Sequence, residues 1–325
     1  TQAERWHDRR RDWHDRRRDH QHHNPVRDWT AYREHEHEKE IHIEPGANLE
    51  GVNLQEADLQ GVDLQQANLS KAHLSGANLN EANLSRCDLS KAVLTEATLN
   101  NAQLSEANLQ KAELVGANLI GATLTKAHLH KADLTECELT SANLREADLG
   151  KADLTGANLA EAHLHKANLH KVVFVEANLQ RANLQETDLH KADFTGANLS
   201  HARLDKARLS GAQFVEATLK GTTLLETDLT KADFTSTNLT NTNLSKVSLH
   251  KAKLVEATLE GVSLVESDCT KAALTNANLK RANLSKANLN RADLVEADLE
   301  DAQLVEANLS EANLHDASFI KANLN

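Results

Sequence analysis

From Gly46 onward every fifth residue is a large apolar side chain, beginning Leu49, Leu54, Leu59, Leu64 and running to Leu324. Of 56 such centres, 50 are Leu, five are Phe (Phe174, Phe194, Phe214, Phe234, Phe319) and one is Cys269. Two residues before each centre stands a small residue, usually Ala, otherwise Val, Thr, Ser267, Cys87 or Cys137. The unit reads A-(N/D)-L-x-x and repeats through 280 residues without an insertion. A period of five fits neither a helix, at about 3.6, nor a strand, at about 2. It suits a chain that turns a corner after each unit and points the first and third residues inward.

Longer periods give the number of units per coil. Phe174, Phe194, Phe214 and Phe234 are spaced by 20 residues, as if stacked on one side. An outward column reads Lys71, Lys91, Lys111, Lys131, Lys151, Lys171, Lys191, again every 20, and resumes at Lys231, Lys251, Lys271 and Arg291. A second column alternates in sign: Glu106, Lys126, Glu146, Lys166, Glu186, Lys206 and on to Glu306. A third alternates Glu96, Gly116, Glu136, Gly156, Glu176, Gly196, Glu216. Four units therefore close one square coil, giving about 14 coils spaced about 4.8 Å apart in a rod roughly 65–70 Å long.

The alternating column then predicts an opposite charge one coil above and below each member. Such exposed pairs contribute about 0.2–1 kcal/mol each but pin the register. Lysines stacked in a single-sign column repel and need counter-charge. Asp133, Asp153, Asp193 and Asp233, each two residues after a lysine, are the expected local source.

Residues 1–45 are different material. Trp6–Asp12 recurs letter for letter as Trp13–Asp19, and the seven-residue spacing predicts a short helix with both Trp on one side. Asp8 with Arg11 and Asp12 with Arg16 are oppositely charged pairs at helical spacing. Trp29 and Tyr32 follow, and residues 34–44 alternate with period two, which predicts a strand leading into the first coil. The arm is read as a cap for the first coil or a clasp for a neighbour.

The net charge of −12 sits almost wholly in the repeats, because the arm carries ten Arg/Lys against eleven Asp/Glu. Such acidity keeps a protein soluble and disfavours direct nucleic-acid binding. Three Cys form no paired framework and occupy small inward positions. No apolar run is long enough for a membrane helix, and no signal peptide is visible. The chain starts at Thr1 and has no Met, which implies a removed leader or a trimmed start and tilts the expected location toward export.

Candidate chemistry is thin. His20, His22 and His23, or His35 and His37, are imidazoles of the kind that holds zinc or nickel. No fixed Cys/His spacing or thiol accompanies them, so they are read as part of a polar arm. There is no nucleophile elbow, phosphate loop or dinucleotide fingerprint, and a smooth rod offers no concave pocket. The reading is a non-enzyme without a cofactor.

The uninterrupted A-(N/D)-L-x-x array resembles the pentapeptide repeat proteins. That resemblance implies an all-β fold, a right-handed quadrilateral β-helix over residues 46–325, with the centre Leu or Phe and the preceding Ala stacked inside. It specifies function weakly, because one fold hosts many roles. The first expectation is a structural rod that self-associates through its ends, with filaments as one outcome and Trp6, Trp13, Trp29, Tyr32, Phe319 and Leu324 as interface. The repeats reach Asn325 in mid-pattern and expose unpaired backbone there. The alternative, carried by the resemblance, is a DNA mimic that binds a type II topoisomerase. Its balanced charge columns argue against a continuous acidic track. A passive spacer within a larger chain is the third reading.

Overall fold

The computed structural model describes Tyr32–Arg33 and residues 40–325. From Asn48 paired with Asn68 to Gln303 paired with Asn323, every isolated bridge is parallel and joins a residue to its equivalent 20 positions later. The chain is therefore a β-solenoid with four pentads per coil. The ladder is made of single residues rather than long strands, because each side carries one bridging residue before the next turn.

One unit explains the pattern. The Ala67 N–H donates to Leu64 O at 2.9 Å, closing the preceding turn. The Asn68 N–H reaches back to Ala47 O at 2.9 Å, while Leu69 N–H and Lys71 N–H reach forward to Asp88 O and Ser90 O at 2.7 and 2.9 Å. The fifth donor, Ser70 N–H, goes to the Asn68 side-chain oxygen at 3.0 Å. All five N–H groups are thus satisfied, as the backbone requires. The consensus Asn/Asp is the residue that accepts the donor the ladder leaves over. Asn also ties coils together: Asn178 Nδ2 donates to Asn158 Oδ1 at 2.9 Å while Asn178 Oδ1 accepts Gln180 N–H.

Every corner has the same backbone. The corner residue has φ between 54° and 73° throughout, at 45 non-glycine positions and 11 glycines: Gly46, ahead of the first centre, and the residue two after every centre from Leu49 to Phe319. The Leu-x-x-Ala turn with left-handed geometry at its third residue has the pattern of a type II turn. Glycine takes this conformation without steric cost, whereas other residues lose about 1–2 kcal/mol.

Inside, the Leu and Ala columns are almost fully excluded from solvent in a single hydrophobic core that runs the length of the rod. Phe174, Phe194, Phe214 and Phe234 stack in sequence, with ring centroids 5.2, 4.9 and 4.7 Å apart. Cys87 and Cys137 take Ala positions and donate to Leu64 O and Leu114 O at 2.7 and 2.9 Å. Burial pushes the Cys87 and Cys269 thiols up to about 11, and raises the Cys137 thiol as well.

One stretch departs from this regularity. Thr222, Thr227, Thr237 and Thr242 replace the inward Ala and are buried. Each hydroxyl donates to a backbone carbonyl, for example Thr222 to Leu199 O at 2.8 Å and Thr227 to Leu224 O at 2.7 Å. Their extra volume loosens the ladder beside them. Bonds from Glu216, Leu219 and Asn238 N–H lengthen to 3.3 Å, whereas Leu199 N–H, one coil earlier, bonds at 2.8 Å.

Before the first coil, β1 (Tyr32–Arg33) pairs antiparallel with β2 (Glu40–Ile41). Ile41 and Ile43 are buried in the core while His42 is exposed, so the period-two pattern holds here. Within the expected strand β2 covers Glu40–Ile41, and residues 34–39 lie outside the described residues. The helix expected near Trp6 and Trp13 lies outside the described residues, as do Trp29 and the histidines 20 to 37.

Candidate interaction surfaces

The four corners of the square carry four different charge columns. The corner containing Arg86 and Lys126 is internally paired. Arg86 meets Glu106 at 3.1 Å, Lys126 meets Glu146 at 3.7 Å, and Lys166 meets Glu186 at 3.6 Å. Lys206 with Glu226, Lys246 with Glu266 and Lys286 with Glu306 follow at 3.9, 3.7 and 3.9 Å. Each cation takes the glutamate one coil later, and none pairs with the one before. The column is a series of closed pairs rather than the continuous ladder expected from sequence.

The lysine corner behaves differently. Lys71 pairs with Glu50 at 2.7 Å and Arg291 with Glu311 at 2.7 Å, both near the limits of the column. Between them Lys91, Lys111, Lys131, Lys151, Lys171, Lys191, Lys231, Lys251 and Lys271 are exposed and make no ion pair among the described residues. The aspartates expected to neutralise them form no ion pair with these lysines among the described residues. Asp133 accepts both Thr135 N–H and Oγ1–H, at 3.0 and 2.6 Å, and Asp153 and Asp193 do the same with Thr155 and Thr195. Asp233 accepts from Thr235 and pairs with Lys253 rather than Lys231.

On the next corner, Glu56, Glu96, Glu136, Glu176, Glu216, Glu256 and Glu296 recur every two coils and are also exposed and without an ion pair among the described residues. Gly76, Gly116, Gly156 and Gly196 fill the coils between, and a Cβ placed there would touch the underlying glutamate Cγ at 3.4–3.7 Å. The glutamates therefore lie along the edge, over the glycines. The fourth corner is mixed, and its Arg181 pairs with Glu161 at 3.5 Å.

Among the described residues no group of three or more His, Cys, Asp or Glu could hold a metal, and no helix is long and apolar enough to cross a membrane. The concavity around Glu106, Lys126, His128, Glu146 and Asp148 is a shallow depression on the paired corner. His170 and His190 stack at 5.4 Å, and His190 Nδ1 meets Ser210 Oγ at 2.7 Å, which makes them part of the side-chain ladder. Burial, followed by nearby Lys171, lowers the His170 pKa.

The two ends differ. Leu49, Leu54 and Leu59 in the first coil are buried, whereas Leu314, Ile320 and Leu324 in the last are 37, 61 and 57% exposed and Phe319 is only partly covered. Tyr32 is placed by its backbone in β1.

The family model described as pentapeptide repeats matches in eight copies, from residues 45–70 through 287–325. The chain belongs to the pentapeptide repeat family. Members of this family in the solved structures include HetL, involved in heterocyst differentiation regulation in the cyanobacterium Nostoc sp. strain PCC 7120. It is 28% identical, over 86% of this chain and 92% of its own, with a TM-score of 0.18. A pentapeptide repeat protein of the Arabidopsis thaliana thylakoid lumen is 30% identical over 32% of this chain and 69% of its own, with a TM-score of 0.23. QnrB1, a plasmid-mediated fluoroquinolone resistance protein, is 16% identical over 62% of this chain and 90% of its own, with a TM-score of 0.26. A search of curated proteins found no match.

Proposed function

We propose that this pentapeptide repeat protein is a non-catalytic rod that associates with further copies of itself end to end. The observation that carries the reading is the uniform ladder, in which every isolated bridge is parallel and joins a residue to its equivalent 20 positions later. An open solenoid end presents both an apolar cross-section and unpaired backbone, the two features that recruit another chain. A second copy offers matching side lengths and the same coil spacing, so its backbone continues the ladder.

Light scattering and negative-stain microscopy test this on the full chain. Threads or discrete end-joined rods are expected, and the double substitution Ile320→Lys with Leu324→Lys should return single rods. A wild-type chain that stays a single rod at high concentration sinks the reading.

Mimicry of duplex DNA toward a topoisomerase stands second. Its one support is the acidic edge from Glu56 to Glu296, but a lysine edge interrupted at Gly211 lies one side away. A gyrase supercoiling assay with purified protein decides it, because a mimic inhibits or protects the enzyme and a bystander does neither.

A further inference from the structure

We infer that copies of this rod also associate side by side, the lysine edge of one against the glutamate edge of the next. The argument rests on a contrast within the molecule. At the alternating corner all six cations from Arg86 to Lys286 find a glutamate one coil later. At the lysine corner nine side chains from Lys91 to Lys271 find none among the described residues, and at the following corner seven glutamates from Glu56 to Glu296 are equally without a cation there. One corner is neutralised within the chain, while two are left charged with opposite sign.

These two edges border the same side of the square. Lys131 and Glu136, for example, are separated only by Ala132, Asp133, Leu134 and Thr135. A copy displaced across the plane of that side therefore brings its glutamate edge against its neighbour's lysine edge. Copies that keep this side facing the same way must run parallel, since reversing one within the plane sets lysine against lysine. The contact is head-to-tail and does not close, so it propagates into flat rafts.

The occupant is a second copy because of spacing. Lysines recur every coil except at Gly211 and glutamates every two, so each glutamate meets two lysines along most of the edge. The match holds along the whole edge only for a partner with the same coil spacing of about 4.8 Å. The side enclosed by the edges is suited to lie flat within a raft. Its outward column is β-branched in every coil from Thr95 through Val115, Thr135, Thr155 and Val175 to Val295, and each member is half-buried.

The test uses the full chain at low ionic strength, with light scattering and negative stain. Rafts of parallel rods are expected, dispersing at about 1 M NaCl, where the Debye length is about 3 Å. The triple variants Lys131→Glu/Lys151→Glu/Lys171→Glu and Glu96→Lys/Glu136→Lys/Glu176→Lys should each disperse the rafts. Mixing the two in equal amounts should restore lateral contacts, because the reversed edges are complementary again.

Absence of lateral association in the wild type overturns the inference. So does raft formation unchanged by either triple variant, or dispersal that mixing does not reverse. Circular dichroism of each variant separates lost contacts from lost folding. The Ile320→Lys/Leu324→Lys variant separates this inference from the end-to-end reading: it should lose threads and keep salt-sensitive rafts.

Discussion

The Phe214 ring stacks on the Phe234 ring with centroids 4.7 Å apart and planes within 2° of parallel. That separation is close to the coil spacing and falls in the range for offset stacking, about 4.5–7 Å. The stack is a product of the backbone repeat: any residue placed in that column meets its copy one coil away. Replacing Phe214 by Ala leaves a cavity walled by Phe194 and Phe234 and should cost about 3–5 kcal/mol. Phe214→Leu should cost less than about 1.5 kcal/mol, since Leu fills the same column at Leu154 and Leu254. Urea denaturation of the two variants compares them directly, and equal losses would contradict the column packing.

The corners make the second prediction. Gly116 has φ +67°, and an added methyl there would meet Glu96 Cγ at 3.7 Å, an ordinary contact. Gly116→Ala should therefore register the backbone cost alone. The left-handed penalty, less the entropy regained on removing glycine, leaves a loss of about 1 kcal/mol. The reverse change at an exposed corner, Ser141→Gly, should be neutral to slightly stabilising in the same denaturation assay.

Hydrogen exchange reads the threonine stretch. Amides between 216 and 248 should exchange faster than those between 118 and 180, because lengthened ladder bonds open at lower free energy. Thr222→Ala with Thr227→Ala restores the small inward residue and should slow exchange across the same peptides. Equal protection along the whole rod would show that the buried hydroxyls cost the ladder nothing.

Acid should reach Asp233 late. Burial pushes its pKa upward, but hydrogen bonds from Thr235 and Lys253 outweigh this and hold it below the ordinary 3.8. A depressed carboxylate stabilises the folded state fully above its unfolded pKa, and that contribution fades as pH falls through the folded value. Asp233→Asn should therefore lower stability at pH 7 and lose its effect as the pH falls well below 3.8. Melting curves across that range check the sign.

The buried thiols give a chemical readout. With Cys87 and Cys269 raised to about 11 by burial, little thiolate exists at neutral pH and no thiol is exposed. An aromatic disulfide reagent should label none of the three Cys in the native rod and all three after unfolding in urea. Labelling of Cys137 without denaturant would show that the central coils open.

Much of this architecture was legible in the residues. The Leu column and the 20-residue spacing of Phe174 to Phe234 specify the coil, because a core column admits only apolar side chains. The left-handed corners were not read, although 11 of the 12 glycines stand there. Lys and Glu at the same positions masked that signal, since a corner tolerates any polar residue at modest cost. The aspartates beside the lysines sit on the expected side but form no ion pair with them, because sequence spacing gives the side of the square and not the hydrogen-bond partner. The overlooked sign was Asp-Leu-Thr and Asp-Phe-Thr, at Asp133, Asp153, Asp193 and Asp233, where the threonine two residues on claims the carboxylate.

The closed pairs on the Arg86–Glu306 corner also constrain how a gene of this kind can grow. Duplicating one coil would set two like charges against each other at the junction, whereas duplicating two preserves the alternation. Losing a single pentad would rotate every downstream column by a quarter turn. The heritable unit is therefore the 40-residue double coil, and a lineage of such rods should change length in steps of that size.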